Sequence, residues 1–389
     1  MSIPFTKPYF SAASRKEILV AVEEILSSGQ LMLGKYTDQF EAEFANYIGT
    51  ENAVTTNTCT TALQICLMHY DIRGREVLVP SAAFTTDASV VKWAEGSPVL
   101  VDTDPLTLSF DLADLRRKIS PETKGIIWVH LTGLVSPAWR EVVSIAREHN
   151  LFLIEDCAHA PGASVGGVKA GAIGDVGCFS FYPTKVMTTG TGGMITTNDA
   201  ALANSARELR LFGRKDGTGR VIREGNDWFL DEIRACLGYF QLRELESCLK
   251  RRRQIASLYD KLLSGVSGIR LLQVPEDHLS AWYHYTVFVD ASIDYDRLVK
   301  ALKEEHGIPT KPIYPPLHHE LVFLDLDSGS LRQSEQMLNR SLCLPLYVEM
   351  QDAEVEYAAM ALAAELRSQQ IPNECISDVH PGLSPITVA

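Results

Sequence analysis

The chain has no apolar run approaching eighteen residues, so no membrane-spanning helix is expected. Paired cysteines are also missing. The eight cysteines are scattered, with no C-x-x-C pair and no zinc-like spacing, and Cys66, Cys178 and Cys343 sit inside apolar runs. That pattern predicts buried free thiols in a reducing cytoplasm, with neither disulfides nor a metal site. Positive charge is in short supply: 36 Lys and Arg against 49 Asp and Glu give a net charge of -13. Nucleic acid and anionic membranes are polyanions, so neither is expected as a partner, although a local cationic pocket is compatible with an acidic total. Met1-Ser2-Ile3-Pro4-Phe5 has no basic region followed by an apolar core, so no signal peptide is expected. Internal repeats and low-complexity tracts are absent.

What is there is ordinary globular composition, 46% hydrophobic and 22% charged, in 389 residues. This is enough for one large and one small domain. For about the first 200 residues, helical and strand-like stretches alternate. Residues 14–28 read as a helix that Ser14 can cap and Gly29 can stop. Short apolar strands are expected at 53–56, 76–80, 98–101, 125–129, 151–154, 176–181 and 194–197, with helices at 60–70, 87–95, 112–119, 138–149 and 200–212. Strands apolar on both faces belong in a mostly parallel sheet covered by helices. A long helix is expected at 230–263, then a strand at 282–289 and helices at 294–305 and 352–367. This later pattern indicates a second, α+β unit. Residues 372–389 are polar, contain three prolines and read as a mobile tail.

Two stretches carry chemistry. Phe179-Ser180-Phe181-Tyr182-Pro183-Thr184-Lys185 ends an apolar strand in a hydroxyl-rich turn with one lysine, and Gly190-Thr191-Gly192-Gly193 follows. A lysine held among apolar groups loses its charge readily, and a neutral amine is a nucleophile toward aldehydes. Upstream, Leu151-Phe152-Leu153-Ile154 runs into Glu155-Asp156, which places an acid at a strand tip, where open α/β sheets bind ligands. An amine for a Schiff base and a carboxylate for a ring nitrogen are what pyridoxal phosphate (PLP) requires. Lys185 and Asp156 are therefore the candidate catalytic residues, with Lys185 also able to carry protons as base and then acid.

The phosphate of such a cofactor needs a cradle. Asn57-Thr58-Cys59-Thr60-Thr61 lies between a strand and a helix, so the N–H groups around Cys59, Thr60 and Thr61 would point at an anion, and Thr60 and Ser180 add hydroxyls. The same threonines also suit a plain helix cap. Phe84, after a strand, is suited either to stacking on a flat ring or to an ordinary core place. His159 suits either a hydrogen bond near the ring or a structural role.

Together these pieces resemble the DegT/DnrJ/StrS family of sugar aminotransferases. The resemblance runs over about residues 8–370 and rests on motifs in the family's order. They are Leu33-Gly34 with Phe40-Glu41-x-x-Phe44, Val79-Pro80-Ser81 with Phe84, Ile154-Glu155-Asp156 with Ala158-His159-Ala160, and Phe179-Ser180-Phe181-x-x-x-Lys185. Gly238 with Gln241-Leu242, and Gly307-Ile308 with Tyr314-x-Pro316-Leu317-His318, follow. The resemblance implies an α/β fold of the aspartate-aminotransferase type (PLP fold type I). It would have a large cofactor-binding domain over about 15–245 and a smaller one over 246–371, with residues 1–14 packed alongside. It implies PLP as cofactor, glutamate or glutamine as amino donor, a keto-sugar, typically nucleotide-linked, as acceptor, and a homodimer with shared active sites. Tyr283, His284, Tyr314 and His318 are candidates to line the acceptor site, and each is equally suited to a core or surface role.

Three departures from the family's pattern stand out. Cys59 occupies a position that is usually glycine, and Thr191 replaces the glutamate of G-E-G-G. Where the family has G-x-N-x-R, with the asparagine reaching the neighbouring subunit's cofactor phosphate, this chain reads Gly225-Asn226-Asp227-Trp228-Phe229. Strict alignment gives that place to Asp227, whose charge would repel a phosphate, and a one-residue shift gives it to Asn226. Two other readings are open: a sugar dehydratase of the same family, which would carry histidine where Lys185 stands, and a non-catalytic regulatory homologue.

Overall fold

The computed structural model describes residues 3–215, 217–326 and 329–370; the tail expected at 372–389 lies outside them. Seven strands form the central sheet: β1 (Asn52–Thr56), β2 (Glu76–Pro80), β3 (Ser97–Val101), β4 (Thr123–Val129), β5 (Phe152–Asp156), β6 (Val176–Ser180) and β7 (Gly193–Thr197). Their order is β1-β7-β6-β5-β4-β2-β3. Neighbours are parallel except that β7 runs antiparallel to both β1 and β6. Each of the seven strands expected for this sheet is present, with its ends within two residues of those expected. β5 extends through Glu155 and Asp156, so both acids are buried within the strand.

Alternate residues along the strands feed two cores, as the twofold side-chain period requires. Eleven α-helices accompany them among the described residues: α1 (Ala12–Ser28), α2 (Lys35–Ile48), α3 (Cys59–Tyr70), α4 (Thr85–Trp93), α5 (Leu112–Lys118), α6 (Trp139–Glu148), α7 (Ala200–Leu209), α8 (Glu232–Leu263), α9 (Tyr295–Glu304), α10 (Arg332–Leu338) and α11 (Asp352–Gln370). Ile127 and Val129 share a core with Ile65 of α3 and Val90 of α4. Ile126 and Trp128 share the other with Phe40 and Phe44 of α2 and Ile145 of α6. A three-stranded antiparallel sheet, β8 (Ile269–Leu271), β9 (Tyr285–Val289) and β10 (Ser341–Leu344), packs with α9 and α11 and joins the first core. The boundary expected near residue 245 falls inside the continuous helix α8, whose Leu245 and Leu249 belong to one core and Ile255 and Tyr259 to the other.

Local chemistry shifts several expected ends. α1 is capped by Ser11, not Ser14: Ser11 Oγ accepts from the Ser14 N–H at 3.0 Å, and Ser14 is buried in the first turn. The strand expected from 282 begins at Tyr285, because Trp282 has left-handed backbone (φ 49°). The helix expected to reach 212 stops at Leu209, and Phe212 is likewise left-handed (φ 58°).

Candidate active site

The register of the central sheet gathers the chemistry at one edge. Gly193, the first residue of β7, pairs with Thr56 at the end of β1 and with Ser180 at the end of β6, and Asp156 ends the neighbouring β5. A parallel sheet presents its ligand site at the carboxyl ends of its strands. Here those ends open into a cavity of about 540 Å³. Glycine at 193 is required by close approach: a Cβ there would lie 2.5 Å from the Thr58 carbonyl group. That contact seats the first turn of α3 directly over the strand tips.

Lys185 and Asp156 both line this cavity. Burial lowers the Lys185 pKa to about 8, and the Asp156 carboxylate is the foremost influence pulling it back up. Its Nζ lies 4.6 Å from the centroid of the Tyr283 ring. Asp156 Oδ1 accepts from the Ala158 N–H at 2.8 Å and lies 3.9 Å from Cys59 Sγ. Burial, reinforced by Asp156, pushes the Cys59 thiol far up, so it stays protonated and can donate to that carboxylate.

His159 accepts from the Thr132 N–H through Nδ1 (3.3 Å), which leaves Nε2–H to donate to the Tyr314 hydroxyl at 2.7 Å. Burial first, then Lys185, depresses its pKa well below the ordinary value, so the ring is neutral. It stacks on Tyr283 with centroids 4.1 Å apart. The Tyr283 hydroxyl meets Thr184 Oγ1 at 3.0 Å. Phe84 is the N-cap residue of α4 and is 49% exposed at the cavity wall, which rules out the core reading.

Of the expected cradle, Cys59, Thr60 and Ser180 face the cavity. Thr61 does not: its N–H donates to Oγ1 of Thr58, the N-cap residue of α3 (3.0 Å), and its hydroxyl donates to Asn57 Oδ1 (2.7 Å), so it is tied into the cap of the helix. Thr191 lines the cavity and ties the glycine turn to the cradle through Asn57 O (3.2 Å). Asn226 and Asp227 are exposed and lie outside the cavity lining, with Asn226 Oδ1 accepting from the Asp227 N–H at 2.8 Å. Their loop is anchored beside the cradle by Asn57, whose Nδ2 donates to Asp227 O (3.3 Å) and whose N–H donates to Trp228 O (2.8 Å).

Tyr283 and Tyr314 line the cavity, but His284 and His318 do not. His284 is buried behind Tyr283, with ring centroids 3.9 Å apart. His318 is held between Ser81 Oγ (3.0 Å) and Glu335 Oε1 (2.9 Å). Sequence reasoning missed Lys311, a second lysine in the lining, and the Thr184 and Tyr182 contributions of the lysine turn itself. Lys311 precedes Tyr314 by three residues, and that proximity was the signal available.

An amine, a carboxylate, a helix N-terminus with hydroxyls and several flat rings around one cavity fit a phosphorylated pyridine aldehyde. The relatives agree. The chain is 37% identical over 363 residues to the dTDP-4-dehydro-2,3,6-trideoxy-D-glucose 4-aminotransferase of Saccharopolyspora spinosa, covering 88% of this chain and 92% of that one. Its fold is similar to that of the aminotransferase TlmJ from Streptoalloteichus hindustanus, with a TM-score of 0.88 at 33% identity over 95% of this chain and all of that one (100%). A putative sugar aminotransferase of Streptococcus pneumoniae, solved in its PLP form, is similar with a TM-score of 0.87 at 26% identity, again over 95% and 100%. Residues 12–363 match the DegT/DnrJ/EryC1/StrS aminotransferase family, and with this cavity at the strand tips the chain belongs to that family.

Proposed function

We propose that this protein moves an amino group from an amino acid, glutamate or glutamine, to a nucleotide-linked keto-sugar, with PLP as cofactor. The observation that carries the reading is the convergence of Lys185, its pKa lowered to about 8, with Asp156 on one cavity at the strand tips. PLP, when bound, supplies the electron sink and carries the nitrogen between the two substrates. Lys185 Nζ is the group that takes and returns protons at the reacting carbon, because burial brings its pKa to about 8 beside Asp156. Asp156 holds a proton at the ring nitrogen, helped by its bond to the Ala158 N–H. The first turn of α3, with Thr60 and Ser180, receives the phosphate, and Phe84 and His159 offer flat walls. Lys311 adds a positive charge suited to an acidic donor or a sugar phosphate.

The reading includes a homodimer in which the Asn226–Asp227 loop of one subunit completes the site of the other. Its support is the exposure of both side chains away from their own cavity. Lys185→Ala should remove amino transfer, and Asn226→Ala with Asp227→Ala should weaken it severely. Mixed after subunit exchange, the two proteins should recover about a quarter of the wild-type rate, since half the dimers are mixed and each holds one intact site. Unimpaired transfer by Lys185→Ala would overturn the role assigned to Lys185, and absence of transfer by the wild-type protein would overturn the enzyme reading. Formation of mixed dimers without recovery would overturn only the shared site.

A further inference from the structure

Behind Asp156 stands a second carboxyl that the proposed reaction does not use. Asp87 lies in the first turn of α4, three residues after Phe84, and its side chain has no solvent exposure at all. Among the described residues, neither of its oxygens has a hydrogen-bond donor in good geometry. Its carboxyl does reach that of Asp156. Two carboxylates cannot both be ionised side by side without water, and a buried acceptor pair with no donor is costly. A single proton between them removes the repulsion and gives the facing oxygens a donor.

We infer that Asp87 is a buried carboxylic acid that donates its proton in a hydrogen bond to the Asp156 carboxylate, and is thereby a positioning residue for the ring-nitrogen partner. The groups facing it from each packed element agree with this arrangement. Burial and then Asp156, from β5, drive the Asp87 pKa far above the usual carboxylate range; the Phe84 backbone and Lys185 pull the other way and are weaker. Cys59 from α3 and Tyr314 both feel the pair's charge as an upward push, and both stay neutral. The helix N-terminus favours an anion at Asp87, but first-turn dipole effects are small against burial of a charge. With Asp87 neutral, the pair carries one negative charge. It sits on the member that lines the cavity, with Oδ1 fixed by the Ala158 N–H. Asp156 thus meets the cavity already charged and held at its back.

The role assigned to Asp156 rests on the proposed function, whereas the protonation of Asp87 does not, so the test has two separable arms. Infrared difference spectra of the cofactor-free protein against Asp87→Asn should show a protonated-carboxyl band at neutral pH that the variant lacks. No such difference would overturn the inference whatever the enzyme does. In the second arm PLP is titrated into Asp87→Asn, whose amide keeps a donor, and into Asp87→Val, which has none. Asn should bind PLP nearly as well as wild type, and Val about tenfold or more weaker, the worth of one hydrogen bond to a charged group. Equal binding by all three proteins, or equal loss in both variants, would contradict the positioning role. If wild type itself binds no PLP while the infrared band is present, the proposed function fails and the buried acid stands.

Discussion

Lys185 owes its reactivity to its surroundings. In water its ammonium would keep its proton to the ordinary value of 10.5, but burial brings that down to about 8. The sign is fixed: below that pH the amine is charged and inert, and above it the amine is neutral and nucleophilic. Capture of a small aldehyde at Lys185 in cofactor-free protein should therefore rise with pH to a plateau, with its midpoint near 8. Mass spectrometry of the modified peptide reads this directly, and a midpoint at the ordinary lysine value would show that the side chain is solvated. This residue and Asp156 were legible in the sequence, because an apolar strand running into a lone lysine or acid marks a strand tip. Asp87 and Lys311 were not, since one looks like any first-turn helix acid and the other comes from the segment after α9. Cys59 was legible as a departure, but only the structure shows the thiol beside Asp156.

Among the elements, α2 shows how a local rule is met from far away. Its N-cap residue is Gly34, which has no side chain to cap with. The Glu232 carboxylate, at the start of α8, supplies the missing acceptor. It receives the N–H groups of Gly34 (2.8 Å), Tyr36 (2.9 Å) and Thr37 (2.9 Å), and the Thr37 hydroxyl as well. Glu232 is 1% exposed, so removing it strands four donors. Glu232→Ala should cost about 3 kcal/mol of unfolding free energy in a denaturant titration, the scale of charge-assisted bonds lost from a buried site. A loss within about 0.5 kcal/mol, typical of a surface substitution, would show that water replaces the carboxylate. The same geometry explains why the start of α2 is not legible in the sequence, whereas the parallel strands are. The strands announce themselves by continuous apolar runs, while the cap of α2 lies nearly two hundred positions away along the chain.

For the whole molecule, a sheet with one reversed strand decides where everything else goes. β7 runs antiparallel between β1 and β6, so its glycine start and the turn after Lys185 arrive at the same edge as the ends of β1, β5 and β6. The alternation of strands and helices in the sequence indicated the parallel part. The reversal was not visible, because antiparallel and parallel strands buried on both faces have the same composition. The described residues include no helix long and apolar enough to cross a membrane. α8 links the two cores through its length, so the cavity between sheet edge and the Tyr283–Tyr314 region is built from both.

The account as a whole turns on Lys185 holding the cofactor. The most direct measurement is to add PLP to the purified protein, reduce it with borohydride and map the modified peptide by mass. The account predicts one pyridoxyl group per chain, on Lys185, lost when an amino donor is added before reduction. A modification elsewhere, or none at all with PLP in excess, would contradict it.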